Sequence, residues 1–107
     1  MSAPTQSPWG QVQSSTAIGT TGIYKVETSE HGGLFVPNDL LETMPAALRT
    51  NVYGRGNWFE EDCEWALVAL AFPAQFTAKQ LGFARLTIEP YAKGGCYETA
   101  AKWLAAN

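Results

Sequence analysis

The sequence predicts an α+β fold: a small three-stranded antiparallel sheet packed by about three to four helices. Two observations carry this. Strand patterns bounded by turns fill the chain up to Pro37, whereas helical spacings with start signals dominate from Asn57 onward. A third is the length of 107 residues, which suits one domain with a single modest core. Met1 to Pro8 reads as a flexible tail and residues 9–107 as the globular domain.

Trp9 to Ile18 is uncharged and polar, and is read as a first strand ending in a Gly19-Thr20-Thr21-Gly22 turn. In Ile23 to Thr28, Tyr24 and Val26 alternate with Lys25 and Glu27, the pattern of a half-buried strand. Ser29 to Gly33 makes a turn whose two glycines suit positive φ. Leu34 to Val36 forms the third strand, and Pro37 ends it. Asn38 or Asp39 is placed to cap a short helix through Leu40, Leu41 and Met44, and Pro45 opens a further turn over Ala46 to Arg49.

Asn57 and Glu60 have capping-box spacing, so the longest helix is expected to start there. It would carry Phe59, Cys63, Ala66, Leu67 and Leu70 on one buried face and end at Pro73. Thr77 and Gln80 form a second capping box, with Phe76 and Leu81 at staple spacing. Gly82 weakens that helix, and Ala84, Leu86 and Ile88 alternate as a strand would, so both readings stand for 77–89. Gly94-Gly95 reads as a hinge. Cys96 to Ala106 closes the chain as a helix that buries Ala100, Trp103 and Leu104 and pairs Glu98 with Lys102.

Ten acids against seven Lys and Arg leave a formal charge of −3 and no basic patch for DNA. The longest strongly apolar run, Ala66 to Phe72, is far short of a membrane span, and the N-terminal residues lack a secretory pattern. A cytoplasmic setting is therefore expected, with Cys63 and Cys96 as thiols.

No residue set stands out as catalytic. Cys63 lies among Glu60, Glu61, Asp62 and Glu64, which oppose a thiolate. His31, Cys63 and Cys96 lack the spacing that seeds a zinc site, and neither Gly32-Gly33 nor Gly54-Arg55-Gly56 belongs to a phosphate-binding motif. No metal or cofactor is expected. His31, the one histidine, is expected to dock on Glu61 or Asp62 and pin sheet to helix. Trp9, Tyr53 and Tyr91 are expected as surface anchors, and Trp58 and Trp65 as packing residues.

Two segments carry a resemblance. One is the His31-Gly32-Gly33 turn. The other runs from Asn57-Trp58-Phe59-Glu60-Glu61-Asp62-Cys63-Glu64-Trp65-Ala66 to Phe72-Pro73, with Pro45 and Leu48-Arg49 between the two. Over roughly residues 22–85 this order resembles a family of small proteins of unknown function carried by phages and plasmids of proteobacteria. The resemblance implies that Phe76-Thr77 and Ala84-Arg85 belong to a helix. It assigns His31, Gly32, Gly33, Asp62, Cys63 and Trp65 to a structural motif.

A mobile-element setting implies, by analogy of context, a non-enzymatic protein that inhibits a host defence complex in an anti-CRISPR-like or antirestriction-like manner. Its partner would be a host defence protein or ribonucleoprotein, contacted by Glu60, Glu61, Glu64, Tyr53 and Arg55, with no direct DNA or membrane binding. The alternative is a small-ligand-binding protein or small enzyme that uses His31 with nearby carboxylates such as Asp62.

Overall fold

A computed structural model describes residues 2–107. Its main sheet has four antiparallel strands in the order β3-β4-β5-β6: Ser14–Ile18, Ile23–Glu27, Gly32–Phe35 and Trp58–Glu60. A two-stranded ribbon, β1 (Gln6–Ser7) and β2 (Gly10–Gln11), precedes it. Four α-helices follow the strand-rich half: α1 (Asn38–Leu41), α2 (Trp65–Ala71), α3 (Ala78–Ile88) and α4 (Glu98–Ala106). Short 3₁₀ turns lie at Ala46–Leu48, Pro73–Gln75 and Glu89–Lys93. The α+β class therefore matches the sequence reading, whereas the strand count and the strict strand-then-helix order do not, since β6 follows α1.

The fourth strand comes from the segment read as the start of the long helix. Asn57 does not cap a helix; its side-chain amide donates to the Val36 carbonyl and to Asn38 Oδ1, both at 2.7 Å. The Val36 amide in turn donates to the Asn57 carbonyl at 2.8 Å. Trp58-Phe59-Glu60 is thereby laid beside β5, with Leu34 opposite Phe59 and Phe35 opposite Trp58. Aromatic side chains suit that pleated edge. Glu60 Oε1 then accepts from the Asp62 and Cys63 amides at 2.9 and 3.3 Å, closing the turn that leads to α2. The helix keeps only Trp65–Ala71, and its residues 66–70 are all buried. The unbroken apolar run thus marks a helix enclosed on every side, not an amphipathic one.

Other departures have equally local causes. Asn38 and Asp39 lie inside α1, whose N-cap residue is Pro37, and Asn38 spends its side-chain oxygen on Asn57. Trp9 to Ile18 breaks into β2 and β3, and Gln6–Ser7, within the expected tail, pairs with Gly10–Gln11. Met1, also part of that tail, lies outside the described residues. Gly32 and Gly33 are ordinary strand residues without positive φ. The true left-handed glycines of the sheet are Gly19 (φ 61°) and Gly22 (φ 90°), which turn β3 into β4.

Of the two readings left open for 77–89, the structure has the helix, α3. The Thr77 hydroxyl accepts from the Gln80 amide at 3.1 Å while Gln80 Oε1 accepts from the Thr77 amide at 2.8 Å, the reciprocal capping box. The predicted Lys102–Glu98 pair closes at 2.6 Å on the exposed side of α4. On its inner side α4 buries Ala100, Ala101 and Leu104, with Trp103 half-buried.

The core lies between one face of the sheet and the helices, with Ile23, Leu34, Phe59, Leu48, Leu67, Val68 and Ile88 all buried in one cluster. The other sheet face carries Val26, Gly33, Phe35 and Trp58, and there Trp9 caps the surface. Its ring meets Trp58 edge-on at 5.7 Å, and Phe35 meets Trp58 at 5.0 Å. Trp9 therefore packs the sheet and is no free anchor.

One stability prediction arises from α3. At Gly82 an added Cβ meets nothing within 4 Å, and the backbone is helical. Gly82→Ala is expected to stabilise the fold by about 0.5–1 kcal/mol, because it removes backbone entropy from the unfolded chain without strain. Urea denaturation checks it, and an unchanged or lower midpoint is the contrary result.

Candidate functional site

The residues singled out around Glu60–Glu64 do not form a single exposed acidic rim. Glu64 is fully buried, at 0% exposure. Its Oε1 accepts from the Gly54 amide at 2.7 Å and the Glu60 amide at 3.3 Å. Its Oε2 accepts from the Tyr53 amide at 2.9 Å and the Tyr97 hydroxyl at 2.8 Å. The assignment of Glu64 to a partner-binding surface is thus corrected: its position follows from α2 packing its first turn inward, where the carboxylate finds four donors. Such donors offset the desolvation of a buried charge.

This carboxylate anchors the loop between the 3₁₀ turn at Ala46–Leu48 and β6. A second buried polar side chain completes the anchoring. Asn51 Nδ2 donates to the Gly56 carbonyl at 2.9 Å and the Trp58 carbonyl at 2.7 Å. Between these two supports, Val52 and Tyr53 project outward, with Tyr53 67% exposed. Arg55 adopts φ 70°, uncommon for a side chain without an Asn or Gly character, and its Nε donates to the Val52 carbonyl at 3.4 Å. The Tyr53 and Arg55 assignments thus fall on one loop whose backbone is held from inside the protein.

The remaining acids lie on the turn between β6 and α2. Glu61 and Asp62 are exposed and Glu60 is half-buried. The Glu60 carboxyl is held above its ordinary range, chiefly by burial and then by the neighbouring Asp62 side chain. Two open grooves flank this turn. One of about 310 Å³ is lined by Tyr53, Glu60, Asp62, Cys63, Tyr91, Cys96 and Tyr97. The other, of about 490 Å³, includes Lys25, Glu27, Glu61, Asp62, Trp65 and Gln80 in its wall. Asp62 borders both, so the acidic turn is a ridge between them.

His31 stands apart from this ridge. Its ring is exposed and makes no hydrogen bond or ion pair among the described residues; its backbone closes a turn on the Thr28 hydroxyl. The expected docking of the imidazole on Glu61 or Asp62 is corrected. The turn does reach the ridge, but through backbone: the Glu61 amide donates to the Gly32 carbonyl at 3.0 Å. His31 also borders neither groove. Among the described residues no three His, Cys, Asp or Glu side chains gather as a metal site requires.

Cys63 and Cys96 are free thiols that border the same groove. Cys63 Sγ lies 3.7 Å from the Tyr91 hydroxyl, and Tyr91 meets Tyr97 edge-on at 4.9 Å. Trp65 is half-buried against the core. Tyr97, which the sequence reading passed over, is the residue that links α4 to Glu64. Its only sequence signal is an aromatic just before a helix, after the Gly94-Gly95 turn.

The Tyr97 hydroxyl is held well above the ordinary phenol range, first by burial and then by the carboxylate of Glu64. A raised folded pKa means that the folded state holds this proton more tightly. The associated stability is fully present below the unfolded value of about 10 and is lost as pH rises beyond it. Tyr97→Phe is expected to cost about 1–3 kcal/mol at neutral pH, since it leaves Glu64 one donor short. It should also reduce the fall in stability between about pH 9 and pH 11. Urea midpoints across that range test both points; a parental alkaline slope in the variant contradicts the assignment.

No helix among the described residues is long and apolar enough to cross a membrane. The chain belongs to a family described as a domain of unknown function, DUF7007, whose model matches residues 2–107. No curated protein and no solved structure matches it.

Proposed function

We propose that this chain is a non-enzymatic binding protein from a phage or plasmid. In this reading it acts in the bacterial cytoplasm and docks on the basic nucleic-acid channel of a host defence complex, in an anti-CRISPR-like or antirestriction-like manner. The observation that carries the docking part is the Val52–Arg55 loop. An exposed tyrosine is presented by a backbone fixed through buried Glu64 and Asn51, across a groove from the exposed Asp62. A pre-formed aromatic tip loses little entropy on binding, and tyrosine is enriched among residues that dominate interface energy. Asp62, which lines the same groove as Tyr53, and Glu61 on the other side of the ridge supply the charge that a lysine- or arginine-lined channel attracts. The mobile-element setting rests on the resemblance in the His-Gly-Gly and Glu-Glu-Asp-Cys-x-Trp-Ala segments.

The test is phage infection of bacteria carrying a defined CRISPR or restriction system, with and without the expressed chain. Restored plaque formation is expected. Tyr53→Ala and the pair Glu61→Lys with Asp62→Lys should each abolish it while the proteins stay folded, because all three side chains are exposed. With an identified complex in hand, Tyr53→Ala should weaken binding about tenfold or more. Failure to protect phage against any such system rejects the reading. Protection indifferent to both variants moves the interface off this loop and ridge.

A further inference from the structure

The outward side of α3 exposes two large apolar side chains where a surface helix is normally polar. Ala84 and Ile88 face the core. On the opposite side Phe83 is 51% and Leu86 68% exposed, and Lys79, Gly82, Glu89 and Pro90 extend the same stripe at helical spacing. The stripe lies on a different element from the Val52–Arg55 loop and has no part in the reading above. Its occupant is indicated by its own sequence. A two-fold contact must be self-complementary, with each residue meeting a different residue of the other copy and the reverse.

The α3 stripe meets that condition. When two copies of α3 are laid antiparallel with Phe83 against Leu86 of the second copy, the reciprocal contact forms by symmetry. Lys79 then comes level with the Glu89–Pro90 step of the second copy, again twice. Within the chain neither Lys79 nor Glu89 makes an ion pair among the described residues. Gly82 lies beside this contact with open space where a Cβ would stand, which lets the helix axes approach. The two charges thus sit at opposite ends of the apolar pair, the arrangement that favours antiparallel over parallel pairing.

We propose that α3 is a self-association surface, through which two copies of this chain pair antiparallel by Phe83, Leu86 and the crossed Lys79 and Glu89 charges. A contact of one helix on one helix belongs to the small interface class. The dimer is therefore concentration-dependent, with a dissociation constant between about 10 µM and about 1 mM.

Sedimentation equilibrium of the whole chain across that range tests it. The mass should rise from one chain toward two with concentration. Phe83→Glu and Leu86→Glu should each hold the protein monomeric, with folding confirmed by thermal melting. Lys79→Glu alone and Glu89→Lys alone should each weaken the dimer about threefold or more. Both changes place the charge that the helix dipole prefers at their end of α3, so neither should unfold it. The double variant, which re-forms the pair with reversed sign, should return to within about twofold of the parent. A parent that stays monomeric throughout overturns the proposal and leaves the stripe to a different partner. A dimer indifferent to Phe83→Glu and Leu86→Glu, or a double variant that is not restored, overturns it equally.

Discussion

Glu64→Ala is expected to destabilise the protein by about 3–5 kcal/mol, a large fraction of the ~5–15 kcal/mol that holds a domain folded. The effect comes from what the carboxylate leaves behind. The amides of Tyr53, Gly54 and Glu60 and the Tyr97 hydroxyl all donate to it in a fully buried position. Without it the more enclosed of these lose their acceptor, and a buried unsatisfied donor costs about 1–3 kcal/mol. Glu64→Gln separates charge from hydrogen bonding. An amide retains one oxygen, able to keep Gly54 and Glu60, and Tyr97 is free to reverse and accept from the new NH₂. The Tyr53 amide is then the group that loses its partner, so the cost falls to about 1–3 kcal/mol. Urea unfolding measures both variants. Amide hydrogen exchange should show Tyr53 and Gly54 losing protection ahead of the core. A loss below about 1 kcal/mol for Glu64→Ala would mean that water replaces the carboxylate and that the loop needs no internal support.

The second large effect is expected at Gly33. Gly33→Ala should cost about 3 kcal/mol or more and shift the melting temperature down by well over 10 °C. The reason is space, since Gly33 has no positive φ. A Cβ built there collides with the Phe59 carbonyl on β6, approaches Glu60 Cα at 3.1 Å, and comes within 2.6 Å of Trp9 Cη2. The backbone of β6 and the Trp9 ring would both have to withdraw, opening the β5–β6 ladder and the outer face of the sheet together. Thermal melting with intrinsic tryptophan fluorescence reads both events, because Trp9 and Trp58 pack edge-on beside this position. Set against the gain expected from Gly82→Ala, the opposite signs isolate steric room from helix and strand propensity. A Gly33→Ala variant as stable as the parent would show that Trp9 and β6 are not held against β5.

What was legible in the sequence was local. The β4 alternation, the Thr77–Gln80 capping box and the Glu98–Lys102 pair each depend on residues within a few positions of one another. They appear in the structure as read. The α+β class followed from the same short-range patterns. The errors arose where a local signal competed with a partner distant in sequence. Asn57-to-Glu60 spacing is a helix start only if Asn57 is free to cap. In the folded chain Asn57 is engaged with Val36 and Asn38, some twenty positions away, and the aromatic run beside it completes the sheet. Glu64, read as one of several helix-start acids on a solvent-facing rim, is drawn inside by donors from the loop before it and from Tyr97 far beyond it. His31 follows the same logic in reverse: the Gly32 backbone makes the contact foreseen for the imidazole.

The sequence by itself determined that Tyr53, Arg55 and the acids from Glu60 to Asp62 occupy one stretch of chain. It also carried the Thr77–Gln80 capping box, because caps are encoded by neighbours, while helix and strand both stayed open for 77–89. Only the tertiary structure decided which of those acids meets solvent, and that Tyr53 rides on a loop held from within. It alone showed that the spare apolar residues of α3 face outward. Burial and hydrogen-bond satisfaction are properties of elements brought together across the chain, and no local pattern specifies which donor will reach which carboxylate.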